Sequence, residues 1–376
     1  MHTIASRAPR WLDRAQQIGD PLVDVLVART LREAPSAELD AALGRVCRDP
    51  RAPLDALPAP LARYFETQGV PEWADHARLR QAATFGERHA VAISTALFCA
   101  AVRDRESGPL ASRGASILGA TGCLEADLDR RVHETGRFVF DVLTPGGFES
   151  GRAVRSAQCI RLVHGVVRAG VLEGRAQRRE RDLEMPIHQE ALLDALSCFS
   201  VGVLDALAKM GIAFTRSEAE DYVHLWRVVG AMLGIREAWL PRDLSAMRRL
   251  SSFLRARSFE PSLAARGRTR VVVTGIEDPP SHGTLAPSLV RYFLGGHGGV
   301  PEGLRAPHVA ELLPRVTSYL GRMGHGSLGD ALPAIGRAIL EGVMAHELAR
   351  REPTFYRPLS LATMHRGTCP HRTRSA

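Results

Sequence analysis

The sequence predicts an all-α protein. Three observations carry that expectation. Apolar residues recur at helical spacing through most of the chain, and several of these runs stop at glycine or at Thr144-Pro145-Gly146-Gly147. Only one short run, RTRVVVTGI at residues 268–276, reads as a strand. No alternation of strand and helix argues for a parallel sheet.

Residues 1–60 read as an N-terminal helical extension, in which GDPLVDVLVARTLREA has a helical period and DPRAPLDALPAPL is a proline-punctuated connector. PEWADHARLRQAATFGERHAVAISTALFCAAV continues as helix, and its second half is apolar all round, as in a helix buried on several sides. ASRGASILGATGCL is a glycine-broken turn region, and EADLDRRVHETGRFVFDVL is a helix closed by the Thr-Pro-Gly-Gly stop. The next helix contains CIRLVHGVVR. After a charged loop, Pro186 takes the first-turn position of a helix that closes on Gly211. A further helix starts at the cap-type residues Thr215 and Ser217 and ends at Gly234, with Tyr222, Leu225, Trp226, Val229 and Leu233 as its core stripe. Residues 240–257 are helical, two more helices are expected near 306–322 and 329–351, and a polar basic tail follows. This divides the chain into an N-terminal extension (1–60), a core (61–255), C-terminal helices completing the same domain (256–350) and a tail (351–376).

The 376 residues are 45% hydrophobic and 24% charged, ordinary for a soluble globular protein. The net charge of +8 comes almost wholly from arginine, since Lys209 is the one lysine. The arginines are spread along the chain and interleaved with acids, which argues against a nucleic-acid surface. The six cysteines form no CxxC pair, and Cys99, Cys159 and Cys198 sit in apolar runs as small hydrophobes, so no disulfide framework is implied. No secretory h-region opens the sequence, and no run of about 18 apolar residues forms a membrane span. A cytoplasmic, reduced protein is the resulting expectation.

No P-loop, GxGxxG unit, HExxH or GxSxG motif occurs. His365, Cys369 and His371 in the tail make one loose cluster rather than the two close pairs of a structural zinc site, and His346-Glu347 reads as a solvated face. Trp73, Trp226 and Trp239 read as packing residues. In CIRLVHGVVR, Arg161, His164 and Arg168 lie at offsets that share one helical stripe. Two permanent cations beside a half-buried imidazole favour its neutral form, which is the form that ligates a metal or haem. Arg131 and Thr135 share another helix face at i and i+4.

The ordered series RRVHET, RLVHGVVR, MPIHQEALLDALSCFSVGVLDALAKMGI and DYVHLWRVVGAMLGI resembles the catalytic domain of the latex-clearing rubber oxygenases and MpaB-type oxygenases, over roughly residues 60–250. Arg161, His164 and Arg168 match that family's Arg-x2-His-x3-Arg helix. Arg131 and Thr135 match its Arg-x3-Thr element, and Pro186-Ile187-His188-Gln189 matches its Pro-Ile-Asn-Gln turn, with His for Asn. The resemblance implies a globin-like helical core with flanking helices around haem b. In it, His164 is the axial iron ligand, Arg161 and Arg168 support the haem or its propionates, and Arg131 and Thr135 stand at the distal face. It also implies dioxygen as co-substrate and a small apolar, unsaturated or isoprenoid substrate, and it is compatible with a redox partner.

Three departures matter. Glu134 stands where the rubber-cleaving branch has a Lys before the Thr. That branch's upstream catalytic Glu has no match at the right distance, Glu125 being nearest. Neither a secretion signal nor an anchor is present, which argues against polyisoprene as substrate. Two other readings keep the haem: Glu134 as general acid/base of a peroxidase-like, dehydrating or isomerising enzyme, and a haem-binding sensor without turnover.

Overall fold

In the computed structural model, residues 9–33, 37–90, 92–93, 96–97, 128–177 and 185–258 are described. The expected strand, the two C-terminal helices, the tail cluster and His346-Glu347 lie outside these residues. Everything regular within them is helical: α1 Trp11–Ala15, α2 Pro21–Glu33, α3 Ala37–Arg48, α4 Ala59–Thr67, α5 His76–Arg88, α6 Leu128–Leu143 and α7 Arg152–Gln177. These are followed by α8 Gln189–Ser197, a π-helical turn at Cys198–Gly202, α9 Val203–Lys209, α10 Arg216–Met232, a 3₁₀ turn at Glu237–Trp239 and α11 Leu244–Ser258.

Local signals account for several helix ends. The Thr215 side chain accepts from Glu218 N–H while the Glu218 carboxylate accepts from Thr215 N–H, a reciprocal capping box at the start of α10. Asp75 caps α5 by accepting from the amides of Ala77 and Arg78. The helix assigned to Pro186 begins instead at Gln189. Ile187 has φ +47, a left-handed backbone that cannot continue a helix, and His188 is the cap, its Nδ1 accepting from Ala191 N–H at 3.0 Å. The π turn between α8 and α9 accompanies back-bonding by Ser200 Oγ to the Leu196 carbonyl at 2.7 Å, and Tyr222 Oη donates to the Phe199 carbonyl at 3.1 Å.

Two apolar clusters form the interior. The larger gathers Phe85, Phe138, Leu193, Leu204, Leu207, Tyr222, Leu225 and Trp226 from five helices and the π turn's neighbours. The smaller gathers Val23, Val27, Leu43, Val46, Tyr64, Phe65, Leu162 and Val166. Helix α7 is the wall between them: Ala153 and Ala157 face the first cluster, Cys159, Leu162 and Val166 the second. It is therefore covered on two sides rather than half-buried on one. Small residues make this close packing possible. A Cβ at Gly165 would run into Val23 Cγ1, so α2 lies directly against α7 at this point.

The N-terminal extension is joined covalently to α7. Cys47 of α3 and Cys159 of α7 form a disulfide, 112 positions apart with Cα atoms 5.9 Å apart. This corrects the expectation of unpaired thiols. A pairing across 112 positions has no local signature, and it removes cysteine usage as an argument for a reducing compartment. Gln189–Lys209 is long and apolar enough to cross a membrane, but more than half of it is buried inside the protein.

Candidate functional site

At about 100° per residue, Arg161, His164 and Arg168 fall within an arc of about 60° on α7, with Gly165 beside them. Both arginines turn toward the N-terminal segment. Arg161 makes a two-point ion pair with Asp20, Nε to Oδ2 at 2.5 Å and Nη2 to Oδ1 at 3.0 Å, and its Nη1 donates to Gln68 Oε1 at 3.1 Å. Arg168, 1% exposed, donates from Nε to Asp24 Oδ1 at 2.6 Å and from Nη1 to the Ile187 carbonyl at 3.3 Å. Its Nη2 is buried and has no hydrogen-bond acceptor among the described residues. Burial disfavours the Arg161 charge, but the Asp20 hydrogen bond and charge outweigh it and hold the guanidinium above its ordinary pKa. Burial also raises the nearby Tyr64 hydroxyl, with Arg161 opposing and Asp20 adding.

Asp20 and Asp24 are held as one unit. Asp20 precedes Pro21 at the start of α2, and its N–H donates to Asp24 Oδ2 at 3.0 Å. Pro21 at the first helical position leaves no wasted amide there.

The Pro-Ile-His-Gln turn closes on the same place. The Gln189 amide, 1% exposed, donates to the carbonyls of Gly19 at 2.8 Å and Gly234 at 2.9 Å, and accepts from Arg236 N–H at 2.9 Å. Its backbone N–H donates to the Ile18 carbonyl at 2.9 Å, and Met185 N–H to the Gln16 carbonyl at 3.2 Å. One side chain thus joins three segments that no local pattern connects. His188 replaces an amide at the preceding position and keeps the capping acceptor through Nδ1. The glutamate after it, Glu190, receives Arg257 Nε at 2.9 Å, and Arg257 also reaches Asp13 at 2.9 Å. Gly234, with φ +87, ends α10, and a Cβ there would overlap Asp20 Oδ2 and lie 2.7 Å from Arg161 Nε.

The helical placement expected for Arg131, Glu134 and Thr135 is found, on the first half of α6. Their side chains lie outside the described residues. One turn on, Phe138 faces Trp226, their rings 6.3 Å apart, and Trp226 stacks on Phe199 at 5.0 Å. Val201, Val203, Leu204 and Leu207 are core residues with at most 1% exposure. The tryptophans pack as expected: Trp11 stacks on Trp239 at 5.5 Å, and Arg227 lies 3.9 Å over Trp73. Trp73 also meets His224 edge to face. His224 Nε2 accepts from Asp75 N–H at 3.0 Å, and burial, then Arg78 and Arg227, push its pKa down to about 4. Among the described residues, no group of three His, Cys, Asp or Glu side chains is placed to hold a metal ion. Asp20 and Asp24 are the residues that sequence reasoning missed. Their only signal was a pair of acids one turn apart in GDPLVD.

Residues 105–332 match the family described as ER-bound oxygenase mpaB/B'/Rubber oxygenase, catalytic domain. The chain is 23% identical over 313 residues to the rubber oxygenase of Streptomyces sp. (strain K30), which covers 79% of this chain and 74% of that one. Its fold is shared with the latex clearing protein LCP solved in the closed state, at a TM-score of 0.70 and 20% identity, over 87% of this chain and 91% of that chain.

Proposed function

The chain belongs to the MpaB and rubber oxygenase catalytic-domain family, and from that premise we propose that it is a haem b-dependent oxygenase in which His164 would hold the haem iron. The substrate we propose is a small apolar, unsaturated molecule of isoprenoid or other secondary-metabolite type, cleaved or oxygenated with dioxygen.

The observation that carries this reading is the setting of His164. It stands on the helix that walls the two cores, one turn from Arg168, whose buried Nη2 has no acceptor among the described residues. An imidazole on a rigid helix beside a cationic donor is a donor set that fits haem and its carboxylates. When bound, haem supplies the redox-active iron that reacts with dioxygen. The chain's own contribution is orientation and electrostatics. Arg161 holds α7 through Asp20, so of the two roles implied for it, support of the haem helix is the one favoured by its contacts. Arg168 serves both, with Nε on Asp24 and Nη2 left for an anionic group. Arg131 and Thr135, at i and i+4 on α6, would supply a charge and a hydroxyl to the reaction, and one turn along α6 Phe138 packs with Trp226, which stacks on Phe199.

The ultraviolet–visible spectrum of purified protein, oxidised and reduced, tests the haem. A Soret band is expected after haem supplementation, and its absence overturns the proposal. His164→Ala is expected to lose most of the haem; full retention moves the ligand elsewhere. Oxygen uptake with an apolar alkene, lost in Arg131→Ala, is expected of an oxygenase. Turnover without oxygen consumption would replace it with other haem chemistry.

A further inference from the structure

We propose that Asp20 and Asp24 are positioning residues of the site, acting through the two arginines that flank His164. The inference rests on His164 as axial ligand and adds residues from a segment that precedes the family match.

Each guanidinium beside His164 is closed by a carboxylate, Arg161 by Asp20 and Arg168 by Asp24. Both carboxylates come from one helical turn and are joined by the Asp20 N–H to Asp24 Oδ2 bond. That turn is fixed from three sides. The Gly19 carbonyl is held by Gln189, Val23 and Val27 abut Gly165, and the next helix is tied covalently to α7 through Cys47–Cys159. Glycines are required where the segments meet: a Cβ at Gly19 would lie 2.8 Å from Asp24 Oδ2 and 3.0 Å from Arg168 Cδ. His164 is therefore flanked by two guanidinium–carboxylate ion pairs rather than by two lone cations, with Arg168 Nη2 still open to an anionic group. An ion pair presents a dipole, whose field falls off faster than that of a charge. The acids thus set both the position of α7 and the electrostatic background of its imidazole. Neutralising either acid leaves a cation beside the axial ligand, which favours the less positive, reduced iron.

The test compares Asp20→Asn and Asp24→Asn with wild type in two measurements. In the haem-loaded protein, each variant is expected to shift the Fe(III)/Fe(II) midpoint potential upward. Asp20→Asn/Arg161→Gln, which removes both charges, is expected to return most of that shift, whereas a merely structural role leaves it as displaced as the single variant. In the haem-free protein, amide hydrogen exchange across residues 161–168 is expected to speed up about tenfold or more, by hydrogen-exchange mass spectrometry. Unchanged potential and unchanged exchange overturn the proposal. If wild type binds no haem, the functional reading fails separately and exchange in α7 decides the positioning role. Should Asp20→Asn not fold, Asp24→Asn decides alone, since its side chain is 32% exposed.

Discussion

Replacing Gly234 by Ala tests whether the site's polar hub is as tightly closed as its geometry indicates. Gly234 ends α10 in a Schellman arrangement: Ile235 N–H donates to the Gly230 carbonyl and Gly234 N–H to that of Ala231, both at 3.0 Å. Its φ of +87 costs a residue with a side chain about 1–2 kcal/mol. The added methyl would also overlap Asp20 Oδ2 and crowd Arg161 Nε, forcing apart a buried ion pair whose rupture costs about 3–5 kcal/mol. Gln68 keeps one contact to Arg161, so the sum is taken at its lower side, about 4–5 kcal/mol. That is a large fraction of a typical stability of about 5–15 kcal/mol. Urea unfolding reads it as a lower midpoint at constant slope. Gly170→Ala is the control: it is helical, nothing lies within 4 Å of its added Cβ, and it is expected to gain up to about 1 kcal/mol. In an Asp20→Ala background the overlap with Asp20 is gone and Arg161, released from its carboxylate, can move off the methyl, so Gly234→Ala should cost mainly the backbone share, about 1–2 kcal/mol. Equal costs in both backgrounds would refute the claim that Gly234 is needed for room.

Reducing Cys47–Cys159 should lower stability by about 2–5 kcal/mol, since a loop of about 100 residues corresponds to about 4.7 kcal/mol of closure entropy; equal urea midpoints with and without reductant refute it. Gln189→Met should cost about 3 kcal/mol or more, because it strips partners from the Gly19 and Gly234 carbonyls and the Arg236 N–H. A loss below about 1 kcal/mol by denaturation would show the hub is not buried as described. His224 has a folded pKa pushed down to about 4, below the ordinary value of 6.5, so the unfolded chain takes up its proton first. Its contribution is fully present above pH 6.5 and is lost as pH falls toward 4, by up to about 3 kcal/mol. His224→Gln should flatten the stability profile in that window, and a slope equal to wild type refutes the assignment.

The helices were legible because their signals are local. The capping box at Thr215 and Glu218, the stop after Leu143 and the glycine ends at Gly211 and Gly234 all act within one turn. The stripe of Arg161, His164 and Arg168 was legible for the same reason. What the stripe meets was not. Asp20 and Asp24 lie 141 and 144 positions from their arginines, and nothing in GDPLVD names a partner. The disulfide escaped notice because its two cysteines sit in unrelated apolar runs. Pro186 misled because proline opens helices often, but the strained Ile187, whose carbonyl is held by Arg168, delays the start until His188 can cap it. Even so, the ordered motifs carried more than their local geometry. RLVHGVVR, PIHQ and the closing Leu-Gly meet around one polar hub, a convergence that spacing along the chain does not express.

That convergence bears on where the functional unit begins. The family match starts at residue 105, yet Asp20, Asp24, Cys47 and Gln68, which hold α7, all precede it. A fragment of residues 105–376 has two poor choices. If α7 keeps its covered face, Arg161 and Arg168 are buried cations without their acids, at about 3–5 kcal/mol each. If the face opens to water, the arginines are solvated but Leu162 and Val166 are exposed, at about 1.5–3 kcal/mol each, and the smaller core loses α2, α3 and α4 together. Either route consumes most of a typical domain's stability. The fragment is therefore expected to lack a cooperative thermal transition by circular dichroism and to bind a dye for exposed apolar surface. Adding a peptide of residues 9–97, which carries Asp20, Asp24 and the α5 share of the larger core, should restore the transition in part, and the same peptide with both acids changed to Asn should do so far less. A cooperative transition in the fragment alone would mean that the N-terminal helices only decorate the domain.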